Sequence, residues 1–456
     1  MKVAIIGAGT YGSYVIDSLL SKYPKANITL FDIGDSAIKS EKEIGLYSSL
    51  KKAMYTGLTD GRWFGFGGTS NKWGGQLLTF TENDFKNPDN FMQDVIKINQ
   101  KHKVSVLKKF NIENNYAEIN VSDGLFTKTG IWLSVFNRNF FKHFRINKRK
   151  QVRILSHCRV SKLITQQNNK IQKVIYLENG IEKEETFDYY FLTAGAFEST
   201  RILLSSEIIK DKIHFSDHLS QKVFKVKRST KIGDEDFVFR MKGFSLITKR
   251  LIGEIDGYSF YAHPVFNMDF PFFQSIKTIL FKKQFTWKAF KDAFKNMPQV
   301  VAFAWSVLVN KKMFVLNNEW FIYIDIENPT KDSYVALSEE KDDFGIVGLD
   351  VSYSIGEEAD QIYRKAKDLV EKYLKDNQVD FETISDEIDV RNSEDIYHPY
   401  LMNSNYNSLE DYFSTYENML VVTTGILPRI GGINPTAALL PLIDEFIESK
   451  FLSSIN

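Results

Sequence analysis

At 456 residues the chain is long enough for two domains or one interleaved pair. Hydrophobic residues make up 43% and charged residues 25%, an ordinary globular balance that excludes a disordered or fibrous chain. A formal net charge of +1 supplies no field to gather nucleic acid, and the lone Cys158 excludes an internal disulfide and any cysteine-ligated zinc or iron–sulfur cluster.

Residues 3–6 form a short apolar run that predicts a buried strand. It leads at once into Gly7-Ala8-Gly9-Thr10-Tyr11-Gly12, too soon for a signal-peptide core, so no targeting signal is expected here. Tyr14, Val15, Ser18 and Leu19 share one helical face, and residues 28–31 predict a second strand ending at Asp32. This is the strand–turn–helix context that a Gly-x-Gly-x-x-Gly turn needs to bind a dinucleotide. Gly7 permits the tight turn and Gly9 lets a pyrophosphate approach the backbone. Gly12 lets the helix pack on the strand with its N-terminus toward the phosphates. Asp32, 25 residues after Gly7, is placed to accept hydrogen bonds from ribose hydroxyls and disfavours a 2′-phosphate. The turn alone does not separate FAD from NAD.

Residues 45–80 carry the densest glycine cluster, with seven of the 26 glycines between Gly57 and Gly75. Such a backbone can lie flat against a ligand, and a flavin enzyme needs a second stretch of this kind where an NAD dehydrogenase does not. Strand-like runs follow at 152–155, 160–165, 173–177 and 189–193, and Ala194-Gly195-Ala196 then opens a helix over 199–205. From about 215 to 415 the chain is rich in strands and aromatics, with a helical stretch at 357–375. The end predicts a strand at 420–423 and one helix from 435 to 451, capped by Asn434 and kinked by Pro441. Nucleotide-type pieces therefore stand at the start, middle and end, and a second domain must be inserted between them. The longest apolar run, 300–309, is about half of what spans a bilayer.

Gly67-Gly68-Thr69-Ser70-Asn71-Lys72-Trp73-Gly74-Gly75 followed by Asp84-Phe85 resembles the glucose–methanol–choline (GMC) oxidoreductase family, most closely the branch of pyranose oxidase and gluconate-type dehydrogenases. The run from Leu192 through Ala194-Gly195-Ala196 to Leu204, Val160 ahead of it, Glu327-Asn328-Pro329 with Ser333, Val335 and Leu337, and Thr423-Thr424-Gly425 leading to Asn434-Pro435-Thr436 resemble further segments in family order. The resemblance implies an α/β fold in which a doubly wound, Rossmann-like FAD-binding domain (1–85, 150–215 and 415–456) carries an inserted α+β substrate domain (86–149 and 216–414) on an antiparallel sheet. It implies FAD as cofactor, held by Gly7, Gly9, Thr10, Tyr11, Gly12 and Asp32 at the first turn and by Gly68, Thr69, Ser70, Trp73, Gly74 and Gly75 at the second. Val160, Ala194, Gly195, Gly425, Asn434, Pro435 and Thr436 complete that set. Lys72 stands where pyranose oxidase has its flavin-linking histidine, which implies non-covalent binding.

A flavin alcohol oxidoreductase needs a hydride path and a base for the hydroxyl proton, and no metal. Of seven histidines only His263 and His398 precede proline. Tyr397-His398-Pro399 resembles the Tyr-His-Pro of cholesterol oxidase, whose partner is an asparagine before proline, as Asn434 is here. The resemblance assigns His398 as general base and Asn434 as the amide that holds the substrate oxygen, with His263 as fallback. Two departures stand out. His398-Pro399-Tyr400-Leu401 lacks the family's following glycine, so the local backbone must differ, and Pro441 interrupts the last helix.

The expected substrate is a small-molecule alcohol, a sugar or sugar-derived secondary hydroxyl. The alternatives are a bulky apolar, sterol-like or lipid-linked alcohol, or a lyase or non-redox flavoprotein on the same fold. Oxygen, a quinone or a protein remain open as electron acceptor. Residues 266–314 interleave Phe and Trp with Lys277, Lys282, Lys283, Lys288, Lys291 and Lys295. Their plainer reading is core plus solvated helix face, and their sharper one a lipid-facing lid on a cytoplasmic protein that touches the inner membrane face.

Overall fold

The computed structural model describes all residues except 53, 114–116, 123, 135, 167–168, 228–238, 243–244, 267–286, 288–290, 292–293, 296, 312–318, 385–388 and 453–456. Strand β1 (Lys2–Ile6), helix α1 (Thr10–Lys22) and strand β2 (Asn27–Phe31) open the chain. Apart from their exposed first residues and Thr29, both strands are apolar, because the sheet is covered on both faces. Five parallel strands make that sheet, in the order Met419–Val421, Tyr189–Leu192, β1, β2, Val152–Leu155. Helix α2 (Asn90–Lys109) packs against the C-terminal helix, and its buried face carries Phe91, Met92, Val95 and Val106. Sequence reasoning did not foresee α2, although Asp89 caps it through its side chain. Helix α3 (Ala196–Ser205) leaves the Tyr189–Leu192 strand at Gly195.

A second, antiparallel sheet of ten strands lies beside the first among the described residues. Its centre is β3 (His218–Lys227), β4 (Ser245–Ile255), β5 (Tyr258–Phe266) and β6 (Glu319–Glu327), in spatial order β3-β6-β5-β4. Strand β4 continues to Leu125–Trp132 and then Gln76–Leu77. Its core joins Leu251, Phe260, Ile322 and Ile324 to the buried face of the helix Ala359–Asp376 (Ile362, Tyr363, Ala366, Val370). Helix α4 (Met297–Leu308) follows β5, and of the aromatic-basic lysines Lys277, Lys282, Lys283 and Lys288 lie outside the described residues. Ser48–Lys52, Val347–Tyr353, Tyr334–Lys341 and Ile213–His214 form a four-stranded sheet. The architecture is the expected α/β one, a doubly wound parallel sheet plus a large antiparallel sheet.

The C-terminal element differs from expectation. Residues 435–451 are not one kinked helix: a 3₁₀ turn, Pro435–Leu439, precedes α5 (Leu440–Leu452). Proline has no N–H and its ring crowds the preceding turn, so the α-helix begins one residue before Pro441 and keeps it in the tolerated first turn. Asn434 occupies the cap position, but its side chain makes no cap hydrogen bond.

Candidate functional site

Three backbone turns meet at the carboxyl ends of the parallel strands. Gly12 must be glycine, since a Cβ there would stand 1.9 Å from the Gly7 carbonyl oxygen and 2.8 Å from Thr193 Oγ1. The second glycine stretch docks on the first: Gly67 N–H donates to the Ala8 carbonyl at 2.8 Å, and a Cβ on Gly68 would lie 3.1 Å from Gly9 Cα. Gly9 and Gly195 face open space, with no heavy atom within 4 Å of an added Cβ. These turns enclose a cavity of about 440 Å³, within the size range of ligand sites.

Gly7, Gly9, Thr10, Tyr11 and Asp32 line this cavity. Gly68, Thr69, Ser70, Trp73 and Gly74 line it from the second stretch, and Val160, Ala194 and Gly195 from the third. His398, Asn434 and Thr436 complete the wall. Gly12, Gly75, Gly425 and Pro435 stand behind the lining and shape it, as when Gly425 closes against Met402, whose Cβ would lie 3.0 Å from a Cβ at 425.

The Asp32 carboxylate accepts from Ala8 N–H and Gly34 N–H, each at 2.8 Å, so it braces the first glycine turn and the chain just beyond β2 as well as facing the cavity. Burial holds its carboxyl above the usual range despite those two bonds. The Val160 carbonyl accepts from Arg201 Nη2 at 2.6 Å. Next to it, buried Glu198 bridges Arg159 and Arg201, and Arg159 also binds Asp342 at 3.0 Å. Burial alone would raise the Glu198 carboxyl, but the two guanidiniums outweigh it and lower it to about 2. Lys72 Nζ lies 4.4 Å over the Trp63 ring, and both residues line the cavity.

His398 is held by its own backbone. Its N–H donates to both Asp217 oxygens at 3.0 Å, and the neighbouring Tyr397 and Leu401 adopt left-handed φ of 67° and 69°. Leu401 thus makes the turn without the glycine that the family places after His-Pro. The half-buried His398 ring leaves Nδ1 unpartnered, and burial first, then His218 and Arg250, lowers its pKa to about 3. His218, fully buried on β3, bonds the Gly431 carbonyl through Nε2 at 3.0 Å. A carbonyl only accepts, so Nε2 carries the proton and Nδ1 offers a lone pair. A nitrogen of each of the two histidines lies within 4.8 Å of the other.

Asn434 is oriented by Arg250, whose Nη1 stands 3.2 Å from Oδ1. Guanidinium only donates, which fixes the amide oxygen toward Arg250 and leaves the NH₂ as a donor. Arg250 also binds Gln76 Oε1 at 2.5 Å and lies 4.2 Å over the Tyr261 ring. Among the described residues no carboxylate forms an ion pair with it. Glu327 fixes the loop ahead of Asn434, accepting from Ile430 N–H at 2.9 Å, Gly431 N–H at 3.0 Å and Arg429 Nη2 at 2.7 Å. His263, by contrast, pairs with Asp325 at 3.1 Å and does not line the cavity.

The fold is shared with pyridoxine 4-oxidase. That solved structure, from Mesorbium loti, superposes at a TM-score of 0.59 with 12% identity over 99% of each chain. No family model matches the sequence, and no curated protein matches it. Sequence reasoning missed Arg250, His218, Asp217 and Gln76. One signal was available: Arg250 falls on the same strand face as Leu246 and Ile252, a charge beside large apolar residues.

Proposed function

We propose that the chain is a GMC-type, FAD-dependent oxidoreductase that oxidises an alcohol, with FAD held non-covalently. The observation that carries this reading is the convergence of the three turns, His398 and Asn434 on one cavity. The open faces of Gly9 and Gly195, the α1 N-terminus and the Asp32 carboxylate suit a pyrophosphate and ribose. Lys72 offers no histidine for a covalent link. A bound flavin would supply the hydride acceptor.

The protein's own part is proton handling and orientation. His398, neutral at physiological pH, takes the hydroxyl proton. If His398 Nδ1–H is directed to the His218 lone pair, directly or through one water, Nε2 is left free as the basic atom. Asn434 donates its amide hydrogens to the substrate oxygen as negative charge grows there, with Arg250 behind it adding positive charge. The substrate class is read from the family branch, a sugar or sugar-derived secondary hydroxyl.

The test is an absorbance spectrum of the purified protein, followed by anaerobic mixing with a panel of sugars, sterols and other alcohols. A yellow protein bleached by a sugar alcohol supports the whole reading. Bleaching by a sterol-like alcohol alone moves the substrate. A yellow protein bleached by none is a lyase or non-redox flavoprotein, and a colourless one that takes up no FAD overturns the proposal.

A further inference from the structure

Helix α4 presents an apolar stripe to solvent. Val301, Trp305 and Leu308, at helical spacing i, i+4, i+7, are 59%, 61% and 66% exposed. Trp287 and Phe294, helical positions just ahead of it, are 85% and 77% exposed. The opposite side is the one that packs: Ser306 is buried and Gln299 half-buried. Single exposed apolar residues are ordinary, but two tryptophans, a phenylalanine and two aliphatics exposed between positions 287 and 308 are not.

The charge around the stripe is one-sided. Residues 270–318 hold eight lysines against the single acid Asp292, in a chain whose overall net charge is +1. Lys291, Lys295 and Lys311 are exposed and form no ion pair among the described residues. No described helix is long and apolar enough to cross a bilayer.

We infer that α4, together with Trp287 and Phe294, docks this protein on an anionic lipid surface, with Trp287, Phe294, Trp305 and Leu308 toward the acyl boundary. Tryptophan suits that depth because its ring is apolar and its N–H stays wet. Lysines beside the stripe attract anionic headgroups while their stems cover apolar surface. A second copy of the chain would bury the stripe equally well but gives no role to Lys291, Lys295 and Lys311, which would repel their own copies.

The experiment uses the full chain and reads partitioning alone, so it is independent of catalysis. Protein is sedimented with vesicles of phosphatidylcholine alone or of phosphatidylcholine mixed with phosphatidylglycerol, at low and high salt. Binding to the mixed vesicles only, reversed by salt, is expected. The combined Lys291→Glu, Lys295→Glu, Lys311→Glu variant is expected to lose about two orders of magnitude in partitioning, and Trp287→Ser with Trp305→Ser to lose binding at unchanged circular dichroism. If a variant fails to fold, the salt dependence of the unaltered protein decides. Absence of binding to mixed vesicles at low salt overturns the inference. So does a vesicle-free dimer that the tryptophan variant disperses while vesicle binding stays absent, which identifies a second copy as the occupant.

Discussion

Both carboxylate oxygens of Asp217 accept the backbone N–H of His398 at 3.0 Å, and the same carboxylate takes the Tyr55 hydroxyl and the His218 N–H, each at 2.7 Å. One buried acid therefore ties the His398 segment to the first residue of β3. Asp217→Asn turns one acceptor into a donor facing N–H groups. It should cost about 1–3 kcal/mol, measured by denaturant unfolding. An unchanged midpoint would mean that the segment is held by other contacts.

Gly9 and Gly12 separate cofactor binding from folding. At Gly9 an added Cβ meets no protein atom within 4 Å, so Gly9→Val should leave circular dichroism intact while the purified protein loses its yellow colour. Gly12→Ala drives a methyl into the Gly7 carbonyl and should lower the yield of folded protein itself. A yellow Gly9→Val protein would show that the first turn does not face the pyrophosphate.

His398→Asn should slow anaerobic bleaching by roughly two orders of magnitude or more, the contribution of a positioned base, with the oxidised spectrum unchanged. Equal rates would remove His398 from the chemistry. His263→Asn, whose imidazole is tied to Asp325 away from the cavity, should leave the rate close to that of the unaltered protein.

The pH dependence follows from burial. His398 in the folded chain titrates at about 3, below the ordinary 6.5, so it remains a neutral base throughout the neutral range. The acid limb of kcat/KM should therefore fall well below pH 6.5. The unfolded chain binds this proton at higher pH than the folded one, so stability is lost as pH descends from 6.5 toward 3. A limb at pH 6.5 that His398→Asn abolishes would show an imidazole titrating as it does in water.

Arg250→Gln removes the donor that orients Asn434 and leaves Gln76 Oε1 without its charged partner. A misplaced orienting group can cost about a hundredfold in rate, so kcat should fall far more than KM rises, with flavin retained. A change confined to KM would make Arg250 a substrate-binding group instead.

The nucleotide side of the molecule was legible because its signals are local. Gly7, Gly9 and Gly12, the cluster around Gly68, and Ala194-Gly195-Ala196 each state a backbone requirement within a few residues. The substrate side was not. Arg250 reaches Gln76 and Asn434 only through the register of β4 on Leu125–Trp132, which pairs Arg250 with Lys128. A slip of one residue would turn Arg250 to the other face, and nothing local in the sequence sets that register. His218 was passed over for a similar reason: its neighbour Gly431 lies 213 positions away. The final helix differs from the sequence expectation because the 3₁₀ turn Pro435–Leu439 lets the α-helix start afresh at Leu440, which no local signal marks.

The outermost parallel strand, Met419–Val421, and the Asn434 turn come last in chain order among the elements that build the sheet and the cavity. Without them, the sheet lacks an edge and the cavity lacks a wall. On the proposed function, a chain that has not yet formed this edge and this wall should not hold FAD. A chain cut ahead of Met419 should then be colourless on purification, which its absorbance spectrum checks.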